Sequence, residues 1–290
     1  MRKEDKVLGK VLLSFDIEEF DFPREKGEDF SLEEGVKVSG EGLLKILDIL
    51  KKTGVKGTFF VTGNFAKERP ELVKRIVREG HEVGAHGVDH FEPKETDVKE
   101  AKEILEKVLK GEKGFKGVKG WRQPRMMKIN YKELVRQGYF YDSSVNPAFI
   151  PGRYNNFKVK REVYWALEKE GKQGGILEIP ASVATGARIP MFWLALHLFP
   201  FKMYSALAKN VLKKEKYFTT YFHPWEFTDL SRFPVVPGYI RHNSGEKLEK
   251  RLFELIRELE TAGAEFGTYT ELWEEFVGFG KNLRNKSSLD

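Results

Sequence analysis

A chain of 290 residues, 40% hydrophobic and 32% charged, is long enough to bury a substantial core and lacks the bias of disordered or fibrous sequences. It has no cysteine, which excludes disulfides, thiolate nucleophiles and cysteine-bearing zinc sites, so a metal here must be held by His, Asp, Glu or water. The net charge of +6 arises from 50 basic residues interspersed among 44 acidic ones, not from a basic stripe, which argues against a nucleic-acid partner.

The start, MRKEDKVLGK, has no apolar signal-like region, and the apolar run MFWLALHLFPF at 191–201 is too short for a membrane span, so the chain is read as soluble and cytoplasmic. KVLLSF at 10–15 has strand length, and GLLKILDILKKTG at 42–54 has helical periodicity with a glycine stop. The alternation repeats with a strand at 56–63, a helix at 70–80 opened by Pro70, a strand at 81–87, a helix at 96–111, a strand at 116–124 and a helix at 130–139. A short strand around YFYDSS at 139–144 follows, then strands at 174–182 and 216–226, an amphipathic helix at 244–263 and a last strand near AEFGTY. Strands alternating with helices predict an α/β fold, a distorted (β/α) barrel of seven to eight mostly parallel strands or a doubly wound sheet, as one domain over 1–276 with a loose tail at 277–290. The segments 19–40 and 146–156 exceed ordinary connection lengths and are expected to be site-forming loops. The aromatic stretch 188–204 reads as core or helix packing, or as a homo-oligomer interface or a cover over the site.

The polar residues hardest to explain structurally fall where strands end. Asp16 and Glu18 close the first strand, His86 and His90 the third, Arg122 the fourth and Asp142 the fifth; Glu178 lies in the sixth, and His223 ends the one after. In parallel α/β architectures the carboxyl ends of the strands form the ligand face, so these segments converge on one mouth. HGVDH places two imidazoles four residues apart, a pair that becomes a site only with a third ligand, and Asp16 or Glu18 can supply it because residues i and i+2 share a strand face. Two histidines and a carboxylate suit hydrolytic zinc, although Co²⁺, Ni²⁺, Fe²⁺ and Mn²⁺ fit the same donors. Such chemistry also needs a base for water and an acid for a leaving nitrogen, for which Asp16 and His223 are the candidates, with Arg122 and Asp142 as orienting charges. Trp225, Glu226, Glu178 and Arg125 are candidates for substrate contact, whereas His197 and His242 fit hydrogen-bonded structural histidines.

In these segments the chain resembles the polysaccharide deacetylases of the nodulation-factor-deacetylase type. SFDIEE looks like that family's first motif, HGVDH its second, RQPR its third, YDSS its fourth and YFHPWE its fifth, in that order from about residue 10 to 275. The resemblance implies a metal-dependent N-deacetylase on a distorted barrel acting on an N-acetylated carbohydrate. It implies Asp16 as base paired with Arg122, His86 and His90 as metal ligands, and His223 as acid supported by Asp142. Ile17 separates two acids that are adjacent in the common motif, so Glu18 is assigned as carboxylate ligand by position, with Asp16 and Glu19 as alternatives. The third motif carries Arg125 where an aromatic is usual. Two other readings stand beside this one: an allantoinase-like hydrolase of a small amide, and a carbohydrate-binding module without chemistry.

Overall fold

Side-chain alternation on the first strand sets up a two-sided architecture. On β1 (Gly9–Ile17), Val11, Leu13, Phe15 and Ile17 join the large core between sheet and helices, while Leu12 packs on the other face with Phe60, Tyr141, Leu177, Ile179 and Tyr269. Because side chains alternate, Ser14 and Asp16 follow Leu12 into the barrel interior. The computed structural model describes residues 7–152, 154–168 and 175–287, with 279–287 as helical backbone alone; Arg153 and Gly174 of the expected loop and strand, and 288–290 of the expected tail, lie outside them.

After β1 come the single turn α1 (Phe22–Glu25), α2 (Leu32–Thr53), β2 (Thr58–Val61), α3 (Gly63–Glu68), α4 (Pro70–Arg78), β3 (Glu82–Ala85) and α5 (Asp97–Val108). The chain continues through β4 (Gly120–Trp121), α6 (Tyr131–Arg136), β5 (Tyr141–Asp142), the hairpin β6 (Phe149–Ile150) and β7 (Tyr154–Asn155), β8 (Tyr164–Leu167) and β9 (Ile176–Glu178). It ends with α7 (Trp193–Leu198), α8 (Phe201–Glu215), β10 (Tyr217–Phe222), the turn α9 (Gly238–Arg241), α10 (Glu246–Thr261), β11 (Ala264–Gly267) and α11 (Tyr269–Ser287).

The main sheet runs β10-β1-β2-β3-β4-β5-β9-β8, parallel throughout except where β8 meets β9, and β11 pairs with the first half of β1 below β2. This is the distorted, mostly parallel barrel expected from the alternation. Its seam is closed without a strand ladder: beyond β9, Ser182 N donates to Thr219 Oγ1 of β10 (2.8 Å), Thr219 N donates to Ser182 Oγ (3.0 Å), and Thr219 Oγ1 donates to Pro180 O (3.0 Å).

Three segments take definite form. The long loop at 19–40 is half helix, because Ser31 and Glu34 form a capping box that starts α2 at Leu32: Glu34 N donates to Ser31 Oγ (3.2 Å) and Ser31 N to Glu34 Oε2 (2.8 Å). The backbone of residues 277–287 continues α11. The stretch 188–204 resolves into α7 and the start of α8 against the core. No helix among the described residues is long and apolar enough to cross a membrane.

Helix α2 touches the segment after β10 so closely that only glycine fits at position 42, where an added Cβ would stand 1.7 Å from Pro224 O. Gly42→Ala gains up to ~1 kcal/mol of helix propensity, but overpacking against backbone costs ~1–3 kcal/mol, so a net loss of stability is expected. Chemical denaturation checks this: a lower midpoint at unchanged slope is expected, and an unchanged or higher midpoint contradicts the packing argument.

Candidate active site

At the carboxyl end of β1 the chain turns inward and buries three acids within four positions, Asp16, Glu18 and Glu19. Each meets a different environment. Glu18 Oε2 lies 3.4 Å from His86 Nε2 and 3.0 Å from His90 Nε2, and one donor atom from each of the three residues lies within 4.8 Å of the others. His86 Nδ1 sits 2.8 Å from Arg122 O, a pure acceptor, and His90 Nδ1 sits 2.9 Å from Asp21 Oδ2. Both Nδ1 atoms therefore carry the imidazole protons, and both Nε2 lone pairs face a carboxylate oxygen that is buried without a hydrogen-bond donor. Three acceptors facing one another require a cation or a shared proton between them. Glu18, His86 and His90 thus fit a divalent metal, and their outer hydrogen bonds are of the kind that orient metal-ligating histidines.

The loop that carries the two histidines is held by a helix. Gly63 N and Asn64 N at the start of α3 donate to Gly87 O and Val88 O (2.9 Å each), and Asn64 Nδ2 donates to Asp89 Oδ2 (3.1 Å). Gly87 has φ +74°, and a Cβ there would press to 2.7 Å from the Pro124 ring. Thr62, the cap of α3, accepts from Phe65 N and donates to Glu19 Oε1 (2.9 Å). Glu19 is thereby drawn to the helix cap and away from the histidines, and burial pushes its carboxyl up to about 7.

Asp16 is taken by Arg122. The buried guanidinium donates to Asp16 Oδ1 (2.6 Å), Ser14 Oγ (2.9 Å), Ser143 O (2.8 Å), Ser143 Oγ (2.9 Å) and Tyr269 Oη (3.2 Å), and lies 4.1 Å from the Phe60 ring centroid. A charge pair this deep depends on such saturation, because both ions have lost their hydration.

His223 stands across the mouth, one residue past β10, whose Phe222 is the register partner of Phe15. Its Nε2 is 4.0 Å from Glu18 Oε1, and its ring stacks on Trp225 at 5.0 Å and meets Trp193 and Tyr221 edge-on. Glu226 accepts from His223 Nδ1 (2.8 Å) and His223 N (2.6 Å) on one oxygen, and its other oxygen lies 2.8 Å from His197 Nε2. Burial alone would lower the His223 pKa, but the charges of Glu18 and Glu226 outweigh it and hold the imidazole above its ordinary value. Glu18 behaves conversely: burial pushes its carboxyl up, yet the positive charge of His223, and of His90 when a proton instead of a metal ion fills the cluster, holds it well below the usual range.

Several expected residues take other places. Asp142 does not reach His223, because β5 is separated from β10 by β4, β3, β2 and β1 on one side of the sheet and by β9 on the other. It faces its register partner Glu178; burial raises both carboxyls, and the pairing pushes Glu178 further up while holding Asp142 back. Glu178 is fully buried, accepting from Val145 N and Tyr131 Oη, so it offers nothing to a substrate. Trp225 Nε1 donates to Glu18 Oε1 (3.1 Å), and Glu226 is buried against the two histidines. Arg125 bonds His90 O, Asp21 and Glu25, bracing the second histidine. Sequence reasoning missed Asp21, Ser143 and Tyr269 as site-forming groups; no local spacing marks them, since each is joined to its partner only by the fold, whereas Trp193 and His197 fall in the 188–204 stretch for which a cover over the site is one reading. A cleft of about 600 Å³, lined by Pro93, Lys94, Gln123, Met127, Tyr131 and Leu167 among others, opens between the loop after His90 and the segment after Arg122.

Comparison with known proteins finds family matches over two parts of the chain, of which the first contains His86, His90 and Arg122. Residues 34–134 match the family described as Polysaccharide deacetylase, and residues 143–274 match one described as Domain of unknown function (DUF3473). The peptidoglycan-N-acetylmuramic acid deacetylase PdaA of Bacillus subtilis is 35% identical over 140 residues, 46% of this chain and 52% of that protein. The peptidoglycan-N-acetylglucosamine deacetylase PgdA of Listeria monocytogenes is 53% identical over 45 residues, 16% of this chain and 10% of that protein. The chain thus spans about half the length, or less, of the curated relatives it matches. In fold it is similar to a putative polysaccharide deacetylase from Mycobacterium smegmatis (TM-score 0.63, 19% identity, 97% of this chain and 94% of that one). It is equally similar to Puue allantoinase (TM-score 0.62, 15% identity, 95% and 92%).

Asp21 gives a direct check on the candidate ligand set. Asp21→Ala frees the His90 ring, and metal affinity is expected to fall ~10–100-fold, as for other outer partners of ligating histidines. Competition with a chromophoric chelator measures it, and wild-type affinity in the variant would contradict the assigned role of His90.

Proposed function

From a chain whose residues 34–134 match the polysaccharide deacetylase family, we propose an enzyme that hydrolyses the N-acetyl group of an amino-sugar glycan. The observation that carries this reading is that Asp16, on β1, and His223, just past the adjacent strand β10, flank the same strand end as the Glu18–His86–His90 cluster, with His223 Nε2 4.0 Å from Glu18 Oε1. Glu18, His86 and His90 would hold the metal, with zinc the first choice for this donor set. When bound, a divalent cation supplies Lewis acidity toward an acyl oxygen and lowers the pKa of water.

The protein's own groups account for the protons. Asp16, oriented by Arg122, takes a proton from water as the water oxygen attacks the acyl carbon. His223, charged through the Nδ1–H bond to Glu226, delivers a proton from Nε2 to the nitrogen as the C–N bond breaks, giving acetate and a free amine. Trp193, Trp225 and Tyr221 wall the donor with rings that limit water around it. A metal-free hydrolase of small cyclic amides is disfavoured by the three mutually facing acceptors, and a binding module without chemistry is disfavoured by the two proton-transfer groups.

Assay of acetate release from N-acetylated oligosaccharides, with allantoin and simple amides as controls, tests the proposal. Asp16→Asn and His223→Ala are each expected to lower kcat by ~10²–10⁴ with bound metal retained. Undiminished turnover in either variant, or turnover of the controls alone, would sink the reading. Because the donor must be protonated, activity is expected below the His223 pKa and lost as pH rises through it. Glu226→Gln removes one of the charges that raise that pKa, so the alkaline limb of the kcat profile should move to lower pH; a limb that stays in place contradicts the pairing.

A further inference from the structure

The support of the proton donor extends one residue beyond Glu226, into a part of the sequence outside the motifs. His197 on α7 is fully buried, and its Nε2 lies 2.8 Å from Glu226 Oε2, while its Nδ1 is buried with no hydrogen-bond partner. Since a carboxylate only accepts, Nε2 carries the proton, and the orphan Nδ1 is a bare lone pair, which is less costly to bury than an unpaired N–H. Glu226 therefore receives three N–H donors: two from His223 on Oε1 and one from His197 on Oε2. Without His197, the outer oxygen loses its donor in a closed apolar space and the carboxylate is free to rotate.

Helix α7 is built to hold this contact. Trp193, one turn before His197 on the same face, meets the His223 ring at 5.5 Å, so one helix touches the donor directly and also through Glu226. The carbonyls ending α7 are fixed by Asn243 Nδ2 on His197 O (2.5 Å) and by Arg251, which donates to Leu196 O and Phe199 O.

We infer that His197 is a positioning residue for the proposed proton donor, setting the orientation and tautomer of His223 through Glu226. This rests on the reading of His223 as the acid of the reaction.

The test uses full-length, zinc-loaded protein and two variants: His197→Leu, which removes the donor, and His197→Gln, whose amide restores an N–H near the same place. For His197→Leu, kcat is expected to fall ~10–100-fold with KM and zinc content near wild type, and His197→Gln should recover most of the loss. A wild-type kcat in the leucine variant, or no recovery with glutamine, overturns the inference. An independent readout is the imidazole ¹⁵N spectrum. A single Nδ1–H form of His223 is expected in the wild type and the glutamine variant, and mixed tautomers in the leucine variant; an unchanged His223 signal there overturns the inference whatever the substrate. Absence of deacetylation by the wild type would instead refute the proposed reaction, leaving the spectrum to decide the role of His197.

Discussion

Glu18 must remain an acceptor in a place where burial alone would neutralise it. Water is excluded from its side chain, and what keeps it ionised is the Trp225 indole and His223 at one oxygen and, at the other, the cation or shared proton that it and the Nε2 atoms of His86 and His90 require. The three imidazoles are in turn held from behind, by Arg122 O, Asp21 and Glu226. The site is a set of paired acceptors and donors around one carboxylate, and the surrounding fold serves to bring four remote segments to it.

The two proposed proton-transfer groups are mounted differently. Asp16 belongs to a strand inside the barrel and is locked by an arginine whose other donors are all occupied by Ser14, Ser143 and Tyr269. Removing one partner of such a pair typically costs ~3–5 kcal/mol because the other charge is stranded, so Arg122 couples stability to the geometry of the site. His223 lies past a strand end, on a segment pressed against Gly42 and walled by aromatic rings, where small shifts of α2 or α7 would be felt. The base is thus rigid with the barrel, and the acid is rigid only as far as the helices around it are.

Much of the fold was legible because hydrophobic alternation and helical periodicity survive locally; Pro70, Gly54 and the apolar runs mark their own elements. The start of α2 was equally legible in Ser31 and Glu34, but the loop around it drew attention to length instead of capping. Among the site residues, those that end strands were visible, since strand ends in a parallel sheet share one face. What sequence could not supply was partnership across the sheet. Asp142 sits at a strand end like the others, yet strand order puts it beside Glu178 and far from His223, and that order is set by packing no local pattern encodes. Glu226, read as a substrate contact, is the carboxylate that accepts from His223, while Trp225 donates to Glu18 and Arg125 to Asp21 behind His90.

The central claim is that Glu18, His86 and His90, and not Asp16 or Glu19, share one divalent ion. A crystal grown with zinc and measured at the zinc absorption edge tests it most directly. The account predicts one anomalous peak within ~2.0–2.2 Å of Glu18 Oε2 and of both Nε2 atoms, with Asp16 still on Arg122. A peak coordinated by Asp16 or Glu19, or none at this cluster, would contradict it.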